Sequence, residues 1–133
     1  MRTNFDSLEA YWQAQPKETL LSLVNLQQTI NDFVADSEWY ISYQIPTVRY
    51  QGKPLVAIAG YQHHCSLYVM SKAIVSLLEQ ELAGFDYSGT TIRFQPTQSL
   101  PNSLVEKIIA LRKEEIALVL AAKRYRKKGS SEK

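Results

Sequence analysis

Cysteine is nearly absent from this chain, because Cys65 is the only one among 133 residues. No disulfide can form within the chain, so a hydrophobic core must hold the fold, and 45% apolar residues are enough to build one. The shortage of cysteine is typical of a reducing compartment, and we expect a cytoplasmic location. The N-terminus also lacks a basic start followed by an apolar run, so we expect no signal peptide.

Long hydrophobic runs are missing as well. No apolar stretch approaches the roughly 20 residues that a membrane-spanning helix needs, so we expect no membrane partner. The chain has no glycine-rich phosphate loop, no zinc-ligand spacing and no Ser/His/Asp signature. These absences favour a binding protein over an enzyme.

Charge is distributed unevenly along the chain. Residues 1–122 hold nine basic and twelve acidic residues, whereas residues 123–133 hold six basic residues and one acidic residue. We therefore predict a single folded domain over 1–122 and a disordered basic tail over 123–133. The tail could serve as a protein or nucleic-acid interaction module, but a basic helix end running into solvent is the simpler interpretation. We expect nucleic acid not to be the partner, and the oligomeric state stays open.

The apolar periodicity predicts a mixture of helices and strands. Helices are expected over 5–14, from Pro16 to about Val34, over 72–83, and from Pro101 onward. Strands are expected over 39–45, 47–50, 55–61, 64–69 and 90–94. This order is typical of an α+β two-layer sandwich, in which helices cover one face of an antiparallel sheet.

Five segments, by their order and spacing, resemble the YdhG-type family of small bacterial domains, which is related in fold to YjbR and CyaY (frataxin). These segments are Ile41–Pro46, Gly52-Lys53, His64 with Tyr68, Gly89–Phe94 and Leu104–Arg112. The resemblance covers residues 8 to 120. It implies a frataxin-like fold and the binding of iron or another small ligand by a protein of largely unknown function.

One candidate site lies on the polar face of the predicted sheet. Strand alternation places His64 in phase with Tyr68, and turns Arg93 away from the core to which Ile92 points. With Tyr43, these side chains could line one groove, in which the planar fork of Arg93 suits a carboxylate or a phosphate. An enzyme acting on a small anionic substrate through His64 and Arg93 is the alternative.

A second candidate is a metal site, which the frataxin resemblance suggests. Hard cations need clustered carboxylates, and Asp32, Asp36 and Glu38 are the candidate ligands, although a solvated helix end is the simpler interpretation of these charges. His63 and His64 are adjacent strand residues that point to opposite faces, so they do not share one ion. Cys65 is expected to be a buried structural residue.

Overall fold

The computed structural model describes the backbone of residues 5–131 and the side chains of residues 5–126. Four helices and six strands follow one another along residues 5–131. They are α1 (Leu8–Gln13), α2 (Lys17–Phe33), β1 (Glu38–Ser42), β2 (Ile45–Tyr50), β3 (Lys53–Gly60), β4 (Cys65–Tyr68), α3 (Lys72–Leu77), β5 (Asp86–Ser88), β6 (Thr91–Phe94) and α4 (Asn102–Ser131).

The six strands form one sheet in the order β1-β2-β3-β4-β6-β5, and every neighbouring pair is antiparallel. An antiparallel sheet together with four helices confirms the predicted α+β two-layer sandwich. Strand β5 was missed by the sequence analysis, because three residues are too few to show an alternating pattern. No helix among residues 5–131 combines the length and the apolar character that crossing a bilayer requires.

The core lies between the sheet and the two long helices. Leu23, Leu26 and Ile30 are buried on one face of α2, at the 3.6-residue spacing of an amphipathic helix. The first half of α4 contributes Leu104, Val105, Ile108 and Ile109 in the same way. The strands meet them with alternate residues, which include Ile58, Leu67, Ile92 and Phe94.

The chain reverses direction at Tyr43 and Gln44, inside the segment that was predicted to be one strand over 39–45. Both residues have positive φ, 52° and 68°, as in the two-residue turns that suit the twist of a hairpin. Such turns usually carry Asn or Gly, so Tyr-Gln gives no turn signal in the sequence. The Gln44 side chain accepts a hydrogen bond from the backbone N–H of Phe5 at 2.6 Å.

Arginine 112 fixes α4 to the start of β3. Its Nε donates to the carbonyl oxygen of Leu55 at 2.8 Å, and its Nη2 donates to that of Pro54 at 2.9 Å. These carbonyls lie at an irregularity, because Val48 pairs with Val56 and Arg49 pairs with Pro54, which leaves Leu55 as an extra residue. The guanidinium thus satisfies backbone groups at the irregular end of the strand.

Helix α4 continues beyond the predicted domain boundary at residue 122. The backbone is helical to Ser131, within the segment for which we expected a tail, and Glu132 and Lys133 lie outside the described residues. Lysine and arginine have good helix propensity, and cations near a helix C-terminus interact favourably with the helix dipole. The division of the chain into one domain and a tail stays a prediction.

Deleting residues 124–133 is expected to change stability only slightly. Arg124, Tyr125 and Arg126 are exposed and bury little against the rest of the domain. Changes at such positions are usually within about 0.5 kcal/mol, or about 2 °C in melting temperature for a domain of this size. Thermal unfolding at low micromolar concentration tests this, and a loss of several degrees would show that the segment packs on the body.

Candidate functional site

A cavity of about 490 Å³ opens at the end of the sheet where β4, β5 and β6 lie side by side. Its lining residues include two histidines, an ion pair, two glutamines and two phenylalanines. The lining residues are His63, His64, Gly84, Phe85, Asp86, Arg93, Phe94, Gln95 and Gln98. Polar groups that converge beside aromatic rings are typical of a small-molecule site.

The strand register explains how Arg93 reaches this cavity. Arg93 lies opposite Ser66 on β4 and opposite Asp86 on β5, so the three residues form one row across the sheet. Its neighbours in β6, Ile92 and Phe94, are buried on the other face. The predicted strand phase is therefore confirmed for β6, and Arg93 points away from the core.

A carboxylate holds the guanidinium of Arg93 in a fixed orientation. Nε donates to Asp86 Oδ2 at 3.0 Å and Nη2 donates to Asp86 Oδ1 at 3.3 Å, while Nη2 also donates to Ser88 Oγ at 2.8 Å. Such a two-point contact is geometrically specific. The site thus presents an oriented arginine whose charge is largely neutralised.

The ion pair is fully formed at neutral pH. Hydrogen bonding from Arg93 lowers the pKa of Asp86 below its usual value, and the same bond raises the pKa of Arg93. A carboxylate with a lowered folded-state pKa stabilises the fold above its unfolded-state pKa, and this contribution disappears as the pH falls through the lower value. Arg93 is therefore released from Asp86 only in acid, below the ordinary titration range of an aspartate.

His64 enters the cavity from the tight turn between β3 and β4. The backbone N–H of Tyr61 donates to the carbonyl of His64 at 2.8 Å, which closes this turn. The Tyr61 ring stacks on the imidazole with 4.9 Å between ring centroids, and the hydroxyls of Tyr61 and Tyr68 lie 2.6 Å apart. Burial and the hydrogen bond to Tyr68 raise the pKa of the Tyr61 phenol, so it stays protonated.

Tyr61 is a contact residue of His64 and Tyr68 that the sequence analysis missed. Its ring stacks on His64, and its hydroxyl is hydrogen-bonded to that of Tyr68. Tyr68 pairs with Thr91 on β6, two residues along the strand from the paired residues Ser66 and Arg93, so it lies on the same face of the sheet as Arg93. Strand phase did not indicate this contact, because the turn interrupts the alternation. The only sequence signal for this contact was the presence of Tyr61 and Tyr68 on either side of His63 and His64.

Tyr43 does not belong to this group. It is 96% exposed in the turn between β1 and β2. Three strand spacings separate β2 from β6, which is roughly 14 Å at about 4.8 Å per step. The structure therefore places His64, Tyr68 and Arg93 in one neighbourhood and Tyr43 outside it.

The three carboxylates of the predicted metal site do not come together as a metal-binding group within residues 5–126. Glu38 pairs with Arg49 at 3.1 Å at one edge of the sheet. Asp32 lines a second cavity of about 320 Å³, between α2 and the segment that precedes α4, together with Ser99 and Asn102. Asp36 lies in the turn after α2, with φ of 54°. Among residues 5–126, no three His, Cys, Asp or Glu side chains are placed to hold a metal ion.

Cys65 is buried in the core, as predicted. Burial raises the pKa of its thiol, and a hydrogen bond with Ser22 opposes this only in part. A thiol with a raised pKa is a poor nucleophile at neutral pH. Cys65 therefore does not form a reactive pair with His63, which is exposed to solvent.

Comparison with known proteins identifies a shared fold. The structure is similar to the crystal structure of YdhG, a DUF1801-family protein from Bacillus subtilis, with a TM-score of 0.75 and 17% sequence identity; the match covers 84% of this chain and 91% of that one. No family model matches the sequence, and no curated protein matches it either. This likeness supports a YdhG-like fold, as the sequence resemblance implied. It does not support the fold relationship to YjbR and CyaY.

Proposed function

We propose that this chain is a YdhG-type cytosolic domain that binds a small carboxylate or phosphate ligand in the cavity beside Arg93. The observation that supports the proposal is the oriented guanidinium of Arg93 at a cavity that His64 and Gln98 also line. Fixed side chains reduce the ordering cost of binding. The membership of the YdhG-type family is part of this proposal and rests on the quoted segments and the shared fold.

The ligand would bind at the open edge of the guanidinium. Asp86 and Ser88 take hydrogen bonds from Nε and Nη2, and no hydrogen bond from Nη1 is formed with the side chains of residues 5–126. An anionic oxygen could accept from Nη1, while the amides of Gln95 and Gln98 offer further donors. The ring of Phe85 would supply the apolar part of the lining.

Asp86 limits how tightly an anion can bind. Its carboxylate compensates the charge of Arg93, so the affinity for anions is modest in the native protein. Removing the carboxylate should therefore raise the affinity for anions, whereas removing the guanidinium should lower it. The unchanged shape of Asp86→Asn makes it a close match to the native side chain.

In a titration with inorganic phosphate, succinate and citrate as probes, followed by calorimetry, we expect Arg93→Ala to weaken binding at least tenfold. Asp86→Asn is expected to strengthen it several-fold. Arg49→Ala is the matched control, because Arg49 also pairs with a carboxylate, Glu38, but lies at the far edge of the sheet. Equal affinities in the native protein and all three variants would remove Arg93 from the site, and an absence of binding by every probe would contradict the proposal.

The other functions have less support. Nucleophilic catalysis by a cysteine gains no support, because the Cys65 thiol is buried and its pKa is raised. Iron binding was implied by resemblance, and the carboxylates that we considered for it lie in separate places. The cytosolic location rests on the single cysteine.

A further inference from the structure

The second half of α4 exposes apolar side chains to an unusual degree. Leu118 is 70% exposed and Tyr125 is 81% exposed, and Ala121 and Ala122 between them are exposed as well. Positions 118, 121, 122 and 125 follow the i, i+3, i+4, i+7 spacing of a single helix face. We call these four residues the α4 stripe.

The α4 stripe faces away from the domain. Ile116 is buried, and Lys123 lies seven residues later on the same line of the helix, beside Lys53 of β3. A hydrogen bond with Lys53, together with its charge, lowers the pKa of Lys123. Leu118 is rotated by about 200° from Ile116, since each residue turns the helix by about 100°. The body of the domain therefore covers one side of this half of α4 and leaves the α4 stripe without a partner among the described residues.

We propose that two copies of this chain associate through the α4 stripe, with their α4 helices antiparallel. In a two-fold arrangement centred between Ala121 and Ala122, Leu118 of one copy would face Tyr125 of the other. The two alanines would meet at the centre, where small side chains permit close approach of the helices. A two-fold interface must be self-complementary, and this order of large, small, small and large residues satisfies that condition.

Charge favours the antiparallel orientation over the parallel one. Glu114 precedes the α4 stripe, and Arg124 and Arg126 lie at its other end; all three side chains are exposed. An antiparallel pair places the acidic end of one helix beside the basic end of the other, whereas a parallel pair would bring like charges together. The same distribution would select a second copy over a partner of uniform charge.

The size of the α4 stripe implies a weak dimer. Two helical turns bury on the order of a few hundred Å² per copy, less than the roughly 800 Å² of a standard stable interface. We therefore expect a dissociation constant in the micromolar range or weaker. Measurement must extend to several hundred micromolar protein.

Sedimentation equilibrium of the full chain over this range tests the association. We expect the native protein to dimerise, and Leu118→Glu to raise the dissociation constant at least tenfold, because it places charges in the interface. Leu77→Glu is the matched control, since Leu77 is 67% exposed on α3 and lies outside the α4 stripe. Unchanged melting temperatures at low concentration would show that both variants fold. A native protein that stays monomeric, or equal effects of the two variants, would overturn the proposal.

Oxidative cross-linking tests the orientation. In the antiparallel pair, Ala121→Cys brings two thiols close together, whereas the two copies of residue 125 are seven residues apart, or about 10 Å along the axis. Disulfide formation needs Cα atoms within about 7 Å. We expect Ala121→Cys to form a cross-linked dimer and Tyr125→Cys not to form one; Cys65 is buried and does not interfere. Cross-linking of both variants would show a parallel pair and contradict the proposal.

Discussion

Replacement of Phe94 by alanine is expected to lower the free energy of unfolding by about 3–5 kcal/mol. Phe94 is only 4% exposed and pairs with the buried Cys65 on the core face of the sheet. Removing the ring would leave a cavity between β6 and the helices, which the surroundings can fill only in part. Urea denaturation of the variant and the native protein measures the difference.

Arg93→Ala is the matched control for this prediction. It lies next to Phe94 in the same strand and points to the other face, where its ion pair with Asp86 is exposed to solvent. Exposed ion pairs contribute about 0–1 kcal/mol, so the control should be nearly neutral for stability. A cost below about 1 kcal/mol for Phe94→Ala, or a larger cost for Arg93→Ala, would mean that the strand phase is reversed.

The second large effect is expected at Gly60, where the end of β3 meets the start of α2. A methyl group on Gly60 would lie 2.5 Å from Thr19 Cγ2 and 2.9 Å from Leu23 Cδ1, and it would also contact the Gln15 amide. Thr19 and Leu23 are buried, so neither can move freely. Gly60→Ala should therefore cost about 1–3 kcal/mol through overpacking.

A hydrogen bond of the Gly60 backbone would also be disturbed if the added methyl group displaced this part of β3. Its backbone N–H donates to the Tyr11 hydroxyl at 3.0 Å, which connects α1 to the sheet. Gly84→Ala is the comparison, because no atom lies within 4 Å of a methyl group placed there. Thermal and urea unfolding of both variants should separate them clearly. Similar stabilities for the two would show that α2 packs less closely on β3 than described.

The parts of the fold that the sequence predicted correctly are those with regular periodicity. Ile92 and Phe94 alternate with Arg93, and Leu23 and Ile30 lie at helical spacing. Both patterns arise because one face of each element is buried, which is a local property of the sequence. The α+β sandwich followed from these elements.

The candidate site was only partly predictable. Strand phase indicated that His64, Tyr68 and Arg93 share a face, but it could not show which strands are neighbours. Tyr43 was included because the hairpin turn at Tyr43 and Gln44 carries no recognisable turn residue. Asp86, the partner of Arg93, lies in a strand of three residues that has no detectable period.

Helix α4 shows a different limit. Its apolar periodicity continues through Val119 and Leu120. Val119 is 50% exposed, because most of the domain lies beside the earlier part of the helix. Periodicity shows which face of a helix is apolar, but the surface that covers it depends on the arrangement of the other elements.

Backbone amide NMR spectra recorded during titration with inorganic phosphate, succinate and citrate test the central claim most directly. If the ligand binds beside Arg93, the shifts should change at His63, His64, Asp86, Arg93 and Gln98, and these changes should be lost in Arg93→Ala. Changes confined to the second cavity, at residues such as Asn25 and Ser99, would contradict the account, and so would spectra that do not respond to any of the three probes.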